Sequence, residues 1–191
     1  TPLVSNNCNF MKGTPGEPVL VSWDDARTLF HEFGHALHNL CSHVKYPSLS
    51  GSSVPADYVE LPSQIMENWA EQKEWLDSIA VHYETGEKIP DSLLENMLKS
   101  RNFNSGFAFI RQLSFCLNDM AWHTLSVSAN QPISEIEQEA MAPTELFPPV
   151  DGCNVSTGFA HIFSGGYASG YYGYKWAEVL DADAFSLFMD R

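Results

Sequence analysis

Apolar positions recur at helical spacing over most of the chain. Trp23, Ala26, Phe30, Phe33, Leu37, Leu40 and Val44 form one stripe behind Ser22, and Asp25 three residues after Ser22 completes a capping signal. The pattern predicts a long helix held to a core along one face. After a loop, YPSLSGSSVPAD, a second helix directs Ile65, Trp69, Leu76, Ile79 and Tyr83 inward, and Pro62 makes it either begin or kink there. Residues 84–91 turn, and Leu93, Leu94, Met97 and Leu98 mark a short helix. Phe107, Ile110, Leu113, Leu117, Ala121 and Leu125 mark a longer one after the break RNFNSG. Ser134 and Glu137 read as a capping box for a helix ending by Pro143. A last helix starts within GFAHIFSGGYASGYYGYKWAEVL, with Trp176, Val179 and Leu180 packing inward. Ahead of Ser22, apolar patches at 3–10 and 19–21 flank the turn-rich KGTPGEP and predict extended or strand segments. The expectation is a mainly α chain, one domain over residues 1–191, with a small extended or β portion at its N-terminus.

Composition narrows the function classes. The 191 residues are 44% hydrophobic, enough for a sizeable core. Ten basic against 24 acidic residues give a net charge of −14, which argues against nucleic acid and anionic membranes as partners. The acidic excess reads as a solubility device. No run of 18 apolar residues exists to span a membrane. Cys8, Cys41, Cys116 and Cys153 are widely spaced without a C-x-x-C pair, so four free, buried thiols in a reducing compartment are expected. The first residue is not Met and no signal-like segment opens the chain, so it reads as a piece of something longer. The expected location is the cytoplasm, with the periplasm as the alternative.

The chemistry concentrates in FHEFGHALHNLCSH, where His31, Glu32 and His35 stand in the order H-E-x-x-H. On a helix the two histidines lie about 40° apart with roughly 6 Å of rise between them, so both imidazoles can close on one zinc ion. Glu32 lies about 100° from His31, suited to holding a water beside the metal. A third ligand decides the matter. The metzincin pattern fails, because Cys41 and Leu37 occupy the places of its third histidine and its glycine. Glu60, 29 residues after His31 in DYVELPSQIMENW, fits the other zincin pattern, with the glutamate on a second helix. Gln64 or Glu67, on the same face as Glu60, could orient a ligand histidine. His38 points the same way as His31 but lies about 7.5 Å along the axis from a metal between His31 and His35, too far to ligate. His43, His82 and His123 read as ordinary surface or core histidines. Gly34 sits between the ligands, where a close approach by another backbone would account for it.

HEFGHALH, then SGSSVPADYVELPSQIMENW, then FAHIFSGGYASGYYGY together resemble the thimet oligopeptidase family of zinc peptidases, over roughly Val19 to Phe185. Within it the resemblance is greatest to bacterial peptidyl-dipeptidases, also called dipeptidyl carboxypeptidases. The residue spacing from His161 to Tyr167 to Tyr174 matches that form, whereas thimet oligopeptidase has one residue fewer between the histidine and the first tyrosine. The resemblance implies one Zn²⁺ on His31, His35 and Glu60, with Glu32 as general base. It further implies that Tyr174 and His161 take part in catalysis, and that Tyr167, Tyr171 and His161 bind substrate. Taken alone, Tyr167, Tyr171 and Tyr174 at spacings of four and three favour an aromatic packing face over a functional one. Implied partners are oligopeptides and the remainder of the same full-length chain. The implied reaction is release of C-terminal dipeptides, with an oligoendopeptidase, or an inactive binding module keeping the fold, as alternatives.

Overall fold

The computed structural model describes residues 3–124, 126 and 131–190; the expected helical position Leu125 falls outside them. Helices dominate: α1 (Trp23–Cys41), α2 (Ala56–Val59), α3 (Leu61–Ala70), α4 (Lys73–Ile79), α5 (Asp91–Ser100), α6 (Ser105–Thr124), α7 (Ile133–Met141), α8 (Ala160–Phe163) and α9 (Gly173–Met189). Among the described residues the β content is one isolated antiparallel bridge, Val81 to Lys88. Residues 3–22 form no strand, so the extended or β portion expected at the N-terminus is an irregular chain with Leu3, Met11 and Leu20 exposed. No described helix is long and apolar enough to cross a membrane. The chain forms two compact units, one of residues up to Arg101 together with Ala177 onward, the other Asn102–Trp176.

In the first unit the cap on α1 is as expected. Ser22 Oγ accepts from Asp25 N at 3.0 Å, and Asp25 Oδ2 accepts from Ser22 N at 3.1 Å. The buried seam of α1 is Gly34 and Ala36 rather than the larger stripe, and Phe33, Leu40 and Val44 are exposed. The cause is the closeness of α3. A Cβ on Gly34 would stand 2.5 Å from both the Pro62 carbonyl oxygen and Ser63 Cα, so no side chain fits there. The second helix kinks, since α2 stops at Val59, Glu60 forms the junction, and α3 takes Pro62 into its first turn where a missing N–H costs nothing. Trp69 packs edge-on against Phe185 and Phe188 of α9, with ring centroids 5.2 and 5.5 Å away. Asn68 Nδ2 donates to Asp181 Oδ1 at 2.6 Å. Ile79 and Tyr83, expected inward, are exposed, because α4 ends at Ile79 and the chain turns away.

In the second unit the predicted Ser134–Glu137 capping box does not form. Pro132 precedes α7 without a side-chain cap, and the Glu137 carboxylate is buried and taken up by the segment before α8. On α9, Trp176 and Val179, expected inward, are exposed, whereas Ala177 is fully buried and Leu180 is partly buried. Of the four free cysteines only Cys116 is buried; Cys8 is partly covered, and Cys41 and Cys153 are exposed. The expectation of four buried thiols therefore fails, since Cys41 lies at the last position of α1, beyond the seam with α3.

Candidate functional site

One turn of α1 presents His31 and His35 to the α2–α3 junction. Glu60, 2% exposed, places Oε2 3.1 Å from His31 Nε2 and 3.2 Å from His35 Nε2. Ser63 Oγ donates to the same oxygen at 2.9 Å and to the Glu60 carbonyl at 2.7 Å, fixing the carboxylate against its own backbone. One potential ligand atom from each of His31, His35 and Glu60 lies within 4.8 Å of the others. His38 is not in this group; its ring lies beside Tyr58.

Glu67 settles which residue stands behind the first histidine. Its Oε1 is 2.6 Å from His31 Nδ1, and its Oε2 accepts from Arg27 Nη2 at 2.5 Å. Burial disfavours the imidazolium of His31, but Glu60 and Glu67 on its two nitrogens outweigh burial and bring its pKa up to about 9. Burial likewise opposes the charge on Glu67, and the bonds from His31 and Arg27 reverse that, lowering its pKa. With Nδ1–H directed at Glu67, His31 turns Nε2 toward Glu60, the arrangement of a ligand histidine held by a carboxylate behind it. His35 Nδ1 is buried without a partner among the described residues. Two imidazoles and one buried carboxylate, converging with one histidine already oriented, fit a zinc ion. Arg27 was not anticipated, although it lies four residues before His31 on the same helical face.

The second unit gathers the other expected residues. His161, in α8, has its ring 6.2 Å from both Tyr167 and Tyr171. Tyr167 and Tyr174 stack at 4.9 Å, and Tyr171 lies 5.1 Å from Tyr174. The tyrosines do not align on a helix as their spacing suggests. Tyr167 and Tyr171 precede α9 in turns, and only Tyr174 lies within it. Tyr171 belongs to a core with Cys116 and Ile162, and burial raises its phenol pKa. His161 is exposed, and Tyr167 and Tyr174 are half-buried.

Two buried carboxylates hold this segment: Asp119, which no sequence pattern singled out, and Glu137, expected instead as half of a capping box. Glu137 accepts from Val155 N at 2.8 Å and from Ser156 N and Oγ at 2.8 and 2.7 Å, and Ser156 Oγ also accepts from Asn118 and Trp122. Asp119 accepts from Ser169 N and Tyr171 N, both at 2.9 Å. An acidic residue inside an otherwise apolar helical stretch is the signal that could have flagged Asp119.

The sequence profile of peptidase family M3 matches residues 1–191. The chain belongs to peptidase family M3. This M3 chain is 45% identical to the dipeptidyl carboxypeptidase of Salmonella typhimurium, over all of its own length and 28% of the relative's. It is 43% identical to oligopeptidase A of Escherichia coli, again over all of itself and 28% of the relative, and 39% identical to saccharolysin of Saccharomyces cerevisiae, over 96% of itself and 26% of the relative. The M3 chain thus spans little more than a quarter of the curated relatives it matches. Relatives with carboxypeptidase and oligopeptidase names stand almost equally near, so overall identity does not separate the two modes of cleavage.

Proposed function

We propose that this M3 chain is the zinc-binding catalytic segment of a peptidase that acts on oligopeptides and releases C-terminal dipeptides. The observation that carries the proposal is the convergence of His31, His35 and Glu60, with Glu67 behind His31. His31, His35 and Glu60 would hold the ion. When bound, Zn²⁺ supplies a Lewis acid that polarises a carbonyl and acidifies a water. Glu32, beside His31 on α1, takes a proton from the attacking water and returns it to the departing amine as the peptide C–N bond breaks. Glu67 keeps the His31 ring from turning by accepting its Nδ1–H. Tyr174 is assigned as a hydrogen-bond donor to the oxyanion, assisted by His161, while Tyr167 and Tyr171 contact the peptide.

Dipeptide release is preferred to internal cleavage on the spacing from His161 to Tyr167 to Tyr174. The relatives named oligopeptidase A support internal cleavage as the second reading. A binding module without turnover is disfavoured, because Glu32 stands with all three ligand residues and Tyr174. The cytoplasm is the proposed location, and the remainder of the full-length chain is the proposed structural partner. The test is mass spectrometry of products from defined peptides with the full-length protein. Successive loss of C-terminal dipeptides is expected, and fragments cut only at internal bonds would establish the endopeptidase reading instead. Glu32→Gln should keep zinc yet lose turnover by several orders of magnitude.

A further inference from the structure

Asp119 is 1% exposed, and a carboxylate so placed persists only if it is well hydrogen-bonded. Its two backbone partners lie far along the chain, and a third, His123, only one turn on. Oδ1 accepts from Ser169 N and Oδ2 from Tyr171 N, both at 2.9 Å, and His123 Nδ1 stands 2.9 Å from Oδ1 and 2.8 Å from the Asp119 carbonyl oxygen. The two amides converge because Ser169, at φ 56°, takes the left-handed conformation that L residues other than Asn and Asp rarely adopt. The same few residues fix the tyrosines. Gly170 N donates to the Tyr167 carbonyl at 2.8 Å, Gly173 N to that of Gly170 at 2.9 Å, and Tyr174 N to that of Tyr171 at 3.4 Å. A single carboxylate on α6 therefore sets the backbone between two stacked phenol rings, Tyr167 and Tyr174.

We infer that Asp119 is a positioning residue for peptide hydrolysis, acting through the backbone of Ser169 and Tyr171 to hold the Tyr167 and Tyr174 hydroxyls in register for the substrate. The inference rests on the proposed role of Tyr174. It gives α6 a task beyond packing, since a carboxylate at position 119 is the acceptor for both amides of the tyrosine segment. A purely structural acid would show itself in stability alone. A positioning residue shows itself in turnover that depends on Tyr174.

The experiment uses the full-length protein with Asp119→Asn, which keeps shape but turns an NH₂ donor toward one of the two amide N–H groups. Zinc content should match the wild type. Hydrogen exchange at the Ser169 and Tyr171 amides should accelerate while the interior of α6 stays protected. Turnover should fall roughly 10²-fold with a smaller change in KM, as expected when a catalytic donor is displaced by about 1 Å. Adding Tyr174→Phe to Asp119→Asn should cost almost nothing more, because both changes disable one donor. Asp119→Glu, which keeps two acceptors on a longer arm, should recover part of the lost turnover, and it serves as the readout if Asp119→Asn does not fold. Unchanged exchange at the two amides overturns the clamp. Independent, multiplicative losses for Asp119→Asn and Tyr174→Phe overturn the positioning role. A single Tyr174→Phe variant with wild-type turnover defeats the underlying assignment of Tyr174, an outcome separate from either.

Discussion

At the scale of single residues, Glu67 and Tyr174 carry the sharpest expectations. Glu67→Gln removes the anion that accepts from both His31 and Arg27, and should weaken zinc binding roughly 10- to 100-fold in a chelator competition. Affinity equal to the wild type would return Glu67 to a surface ion pair. Tyr174→Phe in the full-length protein should lower kcat by the equivalent of roughly 2.7–4 kcal/mol while leaving KM nearly unchanged. The convergence of His31, His35 and Glu60 was legible from H-E-x-x-H and a glutamate 29 residues on, because helical periodicity places side chains on faces without knowledge of the fold. Glu67 was legible only as one of two choices, since rotation about α3 decides which side chain meets His31. The hydrogen-bonding roles of Asp119 and Glu137 were not legible. Their partners are backbone amides 18 to 52 residues away, and no local pattern marks an amide as a future donor.

Between elements, the seam of α1 against α3 is governed by a missing side chain. Gly34→Ala would drive a methyl group into the Pro62–Ser63 backbone, which cannot rotate aside as a side chain could. The expected cost is about 1–3 kcal/mol in denaturant unfolding. Zinc affinity should fall as well, because Glu60 is carried on the backbone that must retreat. An alanine variant with unchanged midpoint and metal affinity would mean that the seam relaxes freely. The sequence indicated a close approach at Gly34 but placed the buried face on the larger stripe. Periodicity reports which positions are apolar, whereas the tightness of a helix contact depends on what the other helix brings. The same limit explains Glu137, which satisfies a capping pattern yet finds stronger partners, two amides and a hydroxyl, across the second unit.

For the whole molecule, apolar exposure is the dominant feature: Leu3, Met11, Phe103, Phe147 and Val150 are each more than two-thirds exposed. A cavity of about 440 Å³ in the second unit, lined in part by Phe107, Met141, Phe147 and Val150, adds to this surface. Produced alone, the 191 residues should self-associate despite the net charge of −14, and peptidase activity should be near background. Sedimentation showing a monodisperse monomer, or a kcat/KM comparable to that of the full-length protein on one peptide, would overturn this. The order of the ligands along the chain also bears on synthesis. His31 and His35 leave the ribosome together on α1, but Glu60 follows only after a further 25 residues, roughly 1–5 s at ordinary elongation rates. Through that interval the nascent chain offers two imidazoles and no carboxylate to complete them, and the third donor arrives only when α3 folds back on Gly34. On the proposed metal-binding role of these three residues, capture of the ion would be timed by helix docking and not by translation of the histidine motif.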